Sequence, residues 1–95
     1  MAEFLVETYV SRADSAGAER AAERARLAAD EVTREGTPVR YLRSIFVPED
    51  ETCFYLYEAA TVDAVHEAAR RAALSLDRVA EAVTQSKGRE GEDHD

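Results

Sequence analysis

The sequence of 95 residues lacks several features that mark particular protein classes. It has no tryptophan and only one cysteine, Cys53, so no disulfide can form within the chain and a disulfide-stabilised secreted scaffold is excluded. Its apolar runs are a few residues long, far short of the roughly 20 residues that span a bilayer. The first residues carry no basic segment of the kind found in signal peptides. We therefore expect a cytoplasmic protein without a membrane partner.

Positive charge is also scarce. Lysine and arginine total 12 against 20 aspartates and glutamates, which gives a formal net charge of -8. Nucleic acids and anionic membrane surfaces would repel such a chain, so no nucleic-acid partner is expected. Glycine-rich phosphate loops and the CxxC, HExxH and GxSxG motifs are missing too. The composition excludes several functions but selects none.

A regular succession of strand-like and helix-like segments fills most of the chain. Clusters of β-branched and aromatic residues predict four strands, at residues 3–10, 39–47, 52–58 and 76–83. Alanine and valine at helical spacing predict two helices, at residues 13–34 and 61–73, with Val62, Val65, Ala69 and Ala72 of the second facing inward. Asp14 or Ser15 and Thr61 are suited to cap the helix starts, and Gly36 to end the first helix.

This order, βαββαβ, predicts an α+β ferredoxin-like sandwich: a four-stranded antiparallel sheet with two helices on one face. The domain should occupy residues 1–83. The polar residues 84–95 should form a disordered tail. With both helices on one side, the other sheet face stays open, and a second copy is the usual cover for so small a domain. A homodimer is therefore expected.

The aromatic residues separate by position number. All four tyrosines are odd-numbered and all three phenylalanines are even-numbered, and side chains alternate between the two faces of a strand. If the phenylalanines face the helices, and if no β-bulge intervenes, the core contains Phe4, Val6, Leu42, Phe46, Phe54 and Leu56. The open face then contains Leu5, Glu7, Tyr9, Val39, Tyr41, Arg43, Ile45, Cys53, Tyr55 and Tyr57.

Two compatible interpretations fit this open face. Tyrosine and arginine are enriched in interface cores, which favours a dimer interface. Apolar walls with a few convergent polar groups are also typical of a small-molecule site. The predicted ligand-binding residues are Glu7, Tyr9, Tyr41, Arg43, Tyr55 and Tyr57.

Other chemically active residues are isolated. Cys53 is a weak candidate for a metal ligand, and a lone cysteine is more often a small buried apolar residue. His66 has Arg70 four residues on, so the two-ligand helical clamp of a zinc site is missing. No catalytic residue is assigned.

Several segments resemble a family of small bacterial proteins related to an actinobacterial nickel-binding, nickel-responsive protein. They are GTPVRYLRSIFVPEDETCF at residues 36–54, YEA at 57–59, AARRA at 68–72 and DRV at 77–79. The resemblance extends over roughly residues 3–83. It implies a ferredoxin-like dimer with nickel, or another divalent metal, held in a central cavity.

Two positions depart from the pattern that the resemblance implies. Arg43 stands where many relatives have a histidine, and Tyr55 where many have a cysteine. Imidazole and thiolate suit nickel, whereas a guanidinium repels a cation and pairs with carboxylates and other anions. These two residues favour an anionic organic ligand.

A dimeric binding protein for a small molecule or metal ion is thus the first functional hypothesis. The alternative is a cofactor-independent oxygenase or isomerase of the dimeric α/β-barrel type, with Glu7 as its acid, which rests on fold analogy. A third hypothesis is an interaction module without a ligand.

Overall fold

Residues 1–83 form two helices and four strands in the predicted order βαββαβ. The computed structural model describes residues 1–83 and residue 85. Its elements are β1 (Ala2–Tyr9), α1 (Ser15–Arg34), β2 (Val39–Val47), a 3₁₀ turn (Pro48–Asp50), β3 (Thr52–Ala59), α2 (Val62–Arg71) and β4 (Arg78–Ala82). The predicted tail lies, apart from residue 85, outside the described residues.

The sheet has the strand order β2-β3-β1-β4, and every neighbouring pair is antiparallel. The two central strands are therefore β3 and β1, while β2 and β4 form the edges. This confirms the ferredoxin-like α+β fold.

Side-chain caps determine where both helices begin. The Asp14 carboxylate accepts a hydrogen bond of 3.0 Å from the Gly17 amide, and the Thr61 hydroxyl accepts one of 3.3 Å from the Ala64 amide. Gly36 follows α1 with a φ of +108°, a conformation that favours glycine. In the part of the chain that the structure describes, neither helix combines the length and hydropathy needed to cross a bilayer.

The helices bury mostly alanine. The buried residues of α1 are Ala18, Ala21, Ala25, Ala28, Ala29 and Val32, and those of α2 are Ala64, Val65, Ala68 and Ala69. Val62 was predicted to face inward, but it begins α2 and is 40% exposed. Because alanine fills little volume, the sheet must supply the bulk of the core, and its largest fully buried side chains are Tyr55 and Tyr57.

The predicted face assignment is confirmed for β1 and wrong for β3. Phe4 and Val6 are buried beneath the helices as expected, yet their partners across the sheet are Tyr57 and Tyr55. Directly opposed residues share a sheet face, so an even-numbered residue of β1 lies beside an odd-numbered one of β3. The helix side of β3 therefore holds Cys53, Tyr55 and Tyr57, while Phe54 and Leu56 lie on the open face.

An irregularity in the middle of β2 reverses which positions of this strand face the helices. Val39 and Tyr41 lie opposite Ala59 and Tyr57, on the helix side, which corrects their predicted exposure. The register then shifts between Tyr41 and Arg43, as expected for a β-bulge, because Leu42 has no partner.

Beyond the bulge, the alternation of β2 agrees with the prediction. Arg43 and Ile45 lie opposite Leu56 and Phe54 on the open face. Phe46 lies opposite Cys53 and packs against the core from the helix side.

Candidate functional site

The sheet separates the six predicted ligand-binding residues into two groups. Glu7, Arg43 and Tyr9, which is 61% exposed, lie on the open side. The other three, Tyr41, Tyr55 and Tyr57, lie on the helix side with Cys53. The predicted set is thus not one site, and two regions remain to be considered.

The first region is the open sheet face. Its centre is apolar, because Leu5 lies opposite Leu56 and Ile45 opposite Phe54. Ile45 is 50% exposed, and the other three are only half-buried because the described chain puts no helix over this face. Phe54 and Leu56 were expected in the core, so the apolar character of this face is greater than the sequence predicted.

Charged side chains surround this apolar centre. The guanidinium of Arg78 lies 3.7 Å from the Glu7 carboxylate, and that of Arg40 lies 3.6 Å from Glu58. Glu3 is directly opposite Glu58. Arg43 forms no ion pair with any residue in 1–83 or 85.

Among residues 1–83 and 85, three arginines thus balance three glutamates on the open face (Arg40, Arg43 and Arg78; Glu3, Glu7 and Glu58). The face is locally neutral in a chain whose formal charge is -8.

No metal centre is assembled within the described ranges, because no three His, Cys, Asp or Glu residues come together there. Cys53 is 1% exposed, and burial raises the pKa of its thiol, although the nearby Tyr55 acts in the opposite direction. A protonated thiol is a poor metal ligand. His66 is exposed on α2, in agreement with its predicted place on the helix flank.

The second region is a groove between α1 and β2, of about 480 Å³. Ala18 and Ala22 lie in its helix wall, which also contains polar and charged side chains of α1. Its other lining residues are Ser15, Glu19, Glu23, Arg26, Tyr41, Ser44, Phe46 and Cys53. The sequence analysis missed this groove, because it depends on the β2 bulge and on the position of α1 over the sheet edge.

Two phenols are buried in the core on the helix side of the sheet, and neither lines this groove. Tyr55 and Tyr57 are 0% exposed, and neither hydroxyl has a hydrogen-bond partner in the described chain. Burial raises the pKa of both, and Cys53 adds to the shift for Tyr55. The Tyr55 hydroxyl lies close to the Cys53 thiol and to the Thr8 hydroxyl, which lowers the pKa of Tyr55, but it forms no hydrogen bond of ordinary geometry with either. Tyr41 meets the ring of Tyr57 edge-on at 5.9 Å.

Comparison with known proteins identifies the family. The model of a family described as "Nickel responsive protein SCO4226-like" matches residues 4–82. The chain belongs to this family. Membership in the SCO4226-like family confirms the resemblance drawn from residues 36–54 and the three shorter segments. No curated protein matches the chain.

A solved structure supports the fold of this SCO4226-like protein. The crystal structure of SCO4226 from Streptomyces coelicolor A3(2) is similar with a TM-score of 0.69 and 22% sequence identity. The match covers 88% of this chain and 99% of that one. At this identity the similarity establishes the architecture and not the ligand.

Proposed function

We propose that this protein is a homodimeric binding protein in which the open faces of two sheets enclose a site for a nickel ion or a small organic anion. The observation that carries the proposal is the open face itself, with its apolar centre of Leu5, Ile45, Phe54 and Leu56 inside a balanced ring of charge. The family description "nickel responsive" supports a metal ligand.

A second copy is the occupant that best suits the open face. Two chains of formal charge -8 repel each other, so they should meet where the local charge is balanced. The open face meets this condition, since each arginine can face a glutamate of the other copy around a two-fold axis. Burying the half-exposed Phe54 and Leu56 would also remove apolar surface from water.

Glu7 and Arg43 are the residues of the predicted set that remain available to a ligand between the sheets. Carboxylates contributed by two copies could hold a divalent cation. The Arg43 guanidinium, which has no acidic partner within the described part of the chain, could bind a carboxylate or phenolate through paired hydrogen bonds. Glu7 lies on this face beside Arg78 and does not line the α1–β2 groove, so we assign it a binding role rather than the acid role of the alternative enzyme.

Native mass spectrometry of tag-free protein, with and without added nickel, tests the proposal. We expect a dimer that Leu56→Arg converts to a monomer, because the new charge would be buried at the interface. Ala16→Arg, on the exposed side of α1, should leave the dimer intact and serves as the control. A wild-type protein that stays monomeric at tens of micromolar would overturn the dimer.

The measurement with added nickel distinguishes between the two candidate ligands, a nickel ion and a small organic anion. A reproducible number of nickel ions per dimer that falls in Glu7→Gln supports the metal site. Retention of nickel in Glu7→Gln would place the ion elsewhere. If the dimer does not bind nickel, an organic anion is the expected ligand, and its binding should be lost in Arg43→Ala.

A further inference from the structure

A further cavity lies on the helix side of the sheet, at the end where α1 begins. Its walls are the end of β1 with the loop that follows, one side of α1, and the loop between α2 and β4. Its volume of about 330 Å³ is at the lower end of the range for small-molecule sites. The described residues that line it all differ from those of the α1–β2 groove, and they include Tyr55. We call it the Tyr55 cavity.

Two buried hydroxyls lie at the base of the Tyr55 cavity. Tyr55 is 0% exposed and Thr8 is 3% exposed, and both line the cavity. The Thr8 hydroxyl donates a long hydrogen bond of 3.4 Å to the Cys53 carbonyl, whereas the Tyr55 hydroxyl has no partner among the described residues. Buried hydroxyls nearly always have a partner, and an unpaired one costs free energy. A molecule in the cavity that pairs with Tyr55 would remove this cost.

An arginine lies at the mouth of the same cavity. Arg24 is exposed, and its Nε atom donates a hydrogen bond of 2.9 Å to the carbonyl of Ala72, the residue that follows α2. This bond holds the guanidinium beside the cavity. Within the described ranges Arg24 forms no ion pair, so its two terminal nitrogens are available for the paired hydrogen bonds that a carboxylate accepts.

The acidic residue that lines the cavity lies at its other end. Asp14 precedes Arg24 by ten positions, which corresponds to about 15 Å along a helix. Its carboxylate already accepts a hydrogen bond from the Gly17 amide at the N-terminus of α1, where the helix dipole offsets a negative charge. A carboxylate bound at Arg24 would therefore be well separated from Asp14.

The remaining walls include the apolar side chains of Val10, Ala21 and Leu74. Burial raises the pKa of Tyr55, so its hydroxyl stays protonated at neutral pH and can donate a hydrogen bond. A matching ligand therefore has a carboxylate at one end, a short apolar body, and an oxygen acceptor at the other end.

We propose that the Tyr55 cavity is a second binding site, contained in one chain, for a small hydroxy acid whose carboxylate pairs with Arg24 at the mouth and whose hydroxyl accepts a hydrogen bond from Tyr55 at the base. The cavity is on the opposite side of the sheet from the proposed dimer cavity. It uses neither Glu7 nor Arg43, and it does not depend on dimer formation.

Three probes test this proposal: 4-hydroxyphenylacetate, phenylacetate, which lacks the hydroxyl, and 4-hydroxyphenylacetamide, which lacks the charge. Two-dimensional NMR titration of the ¹⁵N-labelled full-length protein measures each affinity and shows which backbone amides respond. We expect 4-hydroxyphenylacetate to bind about fivefold more tightly than phenylacetate and about tenfold more tightly than the amide, with shifts at Ala73, Leu74 and Ser75. No binding, equal affinities, or shifts confined to the open face would overturn the proposal.

Variants of the two buried phenols test the contact at the base. Tyr55→Phe should abolish the preference for the hydroxyl, so that both acids bind with about the affinity of phenylacetate. Tyr57→Phe removes a buried phenol that does not line this cavity, and should keep the full preference. Well-dispersed NMR spectra confirm that each variant is folded. A preference for the hydroxyl that survives in Tyr55→Phe would contradict the assignment.

Variants of two α1 arginines test the contact at the mouth. Arg24→Gln should reduce the ratio of the affinities for 4-hydroxyphenylacetate and its amide to about one. Arg20→Gln changes an exposed arginine that does not line the cavity, and should keep the ratio. An unchanged ratio in Arg24→Gln would overturn the role of Arg24.

Variants of the open face separate this proposal from the dimer proposal. The monomeric Leu56→Arg variant and Arg43→Ala should both bind 4-hydroxyphenylacetate as wild type does. Loss of binding in Arg43→Ala would show that the acid occupies the open face, and would overturn the assignment to the Tyr55 cavity.

Discussion

The two faces of the sheet use aromatic residues in opposite ways. On the helix side, Tyr55 and Tyr57 are completely buried against alanine-faced helices. On the open side, Phe54 and the aliphatic Leu56 are only half-buried, although they are the more apolar residues. Ranking residues by hydrophobicity would place them the other way round.

This comparison shows that volume and register can outweigh polarity in deciding which residues are buried. Small helix residues need large partners on the sheet, and the register places the tyrosines at those positions. The result is a core with two phenol hydroxyls that lack a hydrogen-bond partner among the described residues, and an open face with an apolar centre.

The largest expected effect comes from truncating one aromatic residue on each face. Tyr57→Ala should destabilise the fold by about 3–5 kcal/mol, because it leaves a cavity in the core. Phe54→Ala, on the open face, should cost about 1 kcal/mol or less in a protein dilute enough to be monomeric. Urea denaturation at low protein concentration measures both. Equal losses would mean that the two faces are equally packed within one chain.

Adding volume on the helix side gives the next largest effect. Ala25 is fully buried at the middle of α1, so Ala25→Leu should overpack the core and cost about 1–3 kcal/mol. The matched change Ala16→Leu adds the same atoms to the exposed side of the helix, and should alter stability by about 0.5 kcal/mol or less. The same midpoint of thermal unfolding for both variants would mean that the core around Ala25 has enough unfilled volume to accept a leucine.

Removing a phenol hydroxyl should have a smaller effect of opposite sign. Tyr57→Phe removes a hydroxyl that has no hydrogen-bond partner among the described residues, so it should be neutral or stabilising by about 1 kcal/mol. The pKa of Tyr57 is raised by burial, so above about pH 10 the unfolded chain ionises this phenol while the folded chain does not. Wild-type stability should therefore fall as the pH rises beyond that value, and Tyr57→Phe should fall less steeply. A marked destabilisation by Tyr57→Phe would contradict this prediction, because it would mean that the Tyr57 hydroxyl forms a stabilising hydrogen bond.

The smallest effect should come from a third surface, where α1 and α2 meet. Arg71 lies 2.6 Å from Glu35, 2.7 Å from Glu67 and 3.2 Å from Glu31. Its hydrogen bonds lower the pKa of Glu35, and those of Arg70 and Arg71 lower the pKa of Glu67. Because these pKa values are lowered in the folded chain, the stability they provide is present above about pH 4.5 and is lost as the pH falls through the folded values.

Acid denaturation of Arg71→Ala checks this surface. Its stability should be slightly lower than that of wild type at neutral pH and should depend less on pH in the acid range. Arg20→Ala, which changes an exposed arginine of α1 outside this cluster, is the control and should match wild type. An Arg71→Ala profile parallel to wild type would show that solvent screens the cluster fully.

Sequence patterns predicted the elements closely, because these patterns are local. Strand β2 begins and ends where predicted, at Val39 and Val47, and the caps Asp14 and Thr61 are confirmed. The inward alanines of α1 follow directly from helical periodicity. The buried face of one strand could not be inferred from that of another. Odd and even position numbers distinguish the two sheet faces only within a single strand.

What the sequence determined by itself is thus the order of the elements, their caps and the family, through spacing and motifs that involve neighbours along the chain. Tertiary structure alone decided which side of β3 is buried, where β2 bulges, and that the sheet separates Glu7 and Arg43 from Tyr41, Tyr55 and Tyr57. The physical reason is that register depends on how distant strands pair beneath the helices. A shift of one residue exchanges the two faces at little local cost, so local pattern cannot specify it.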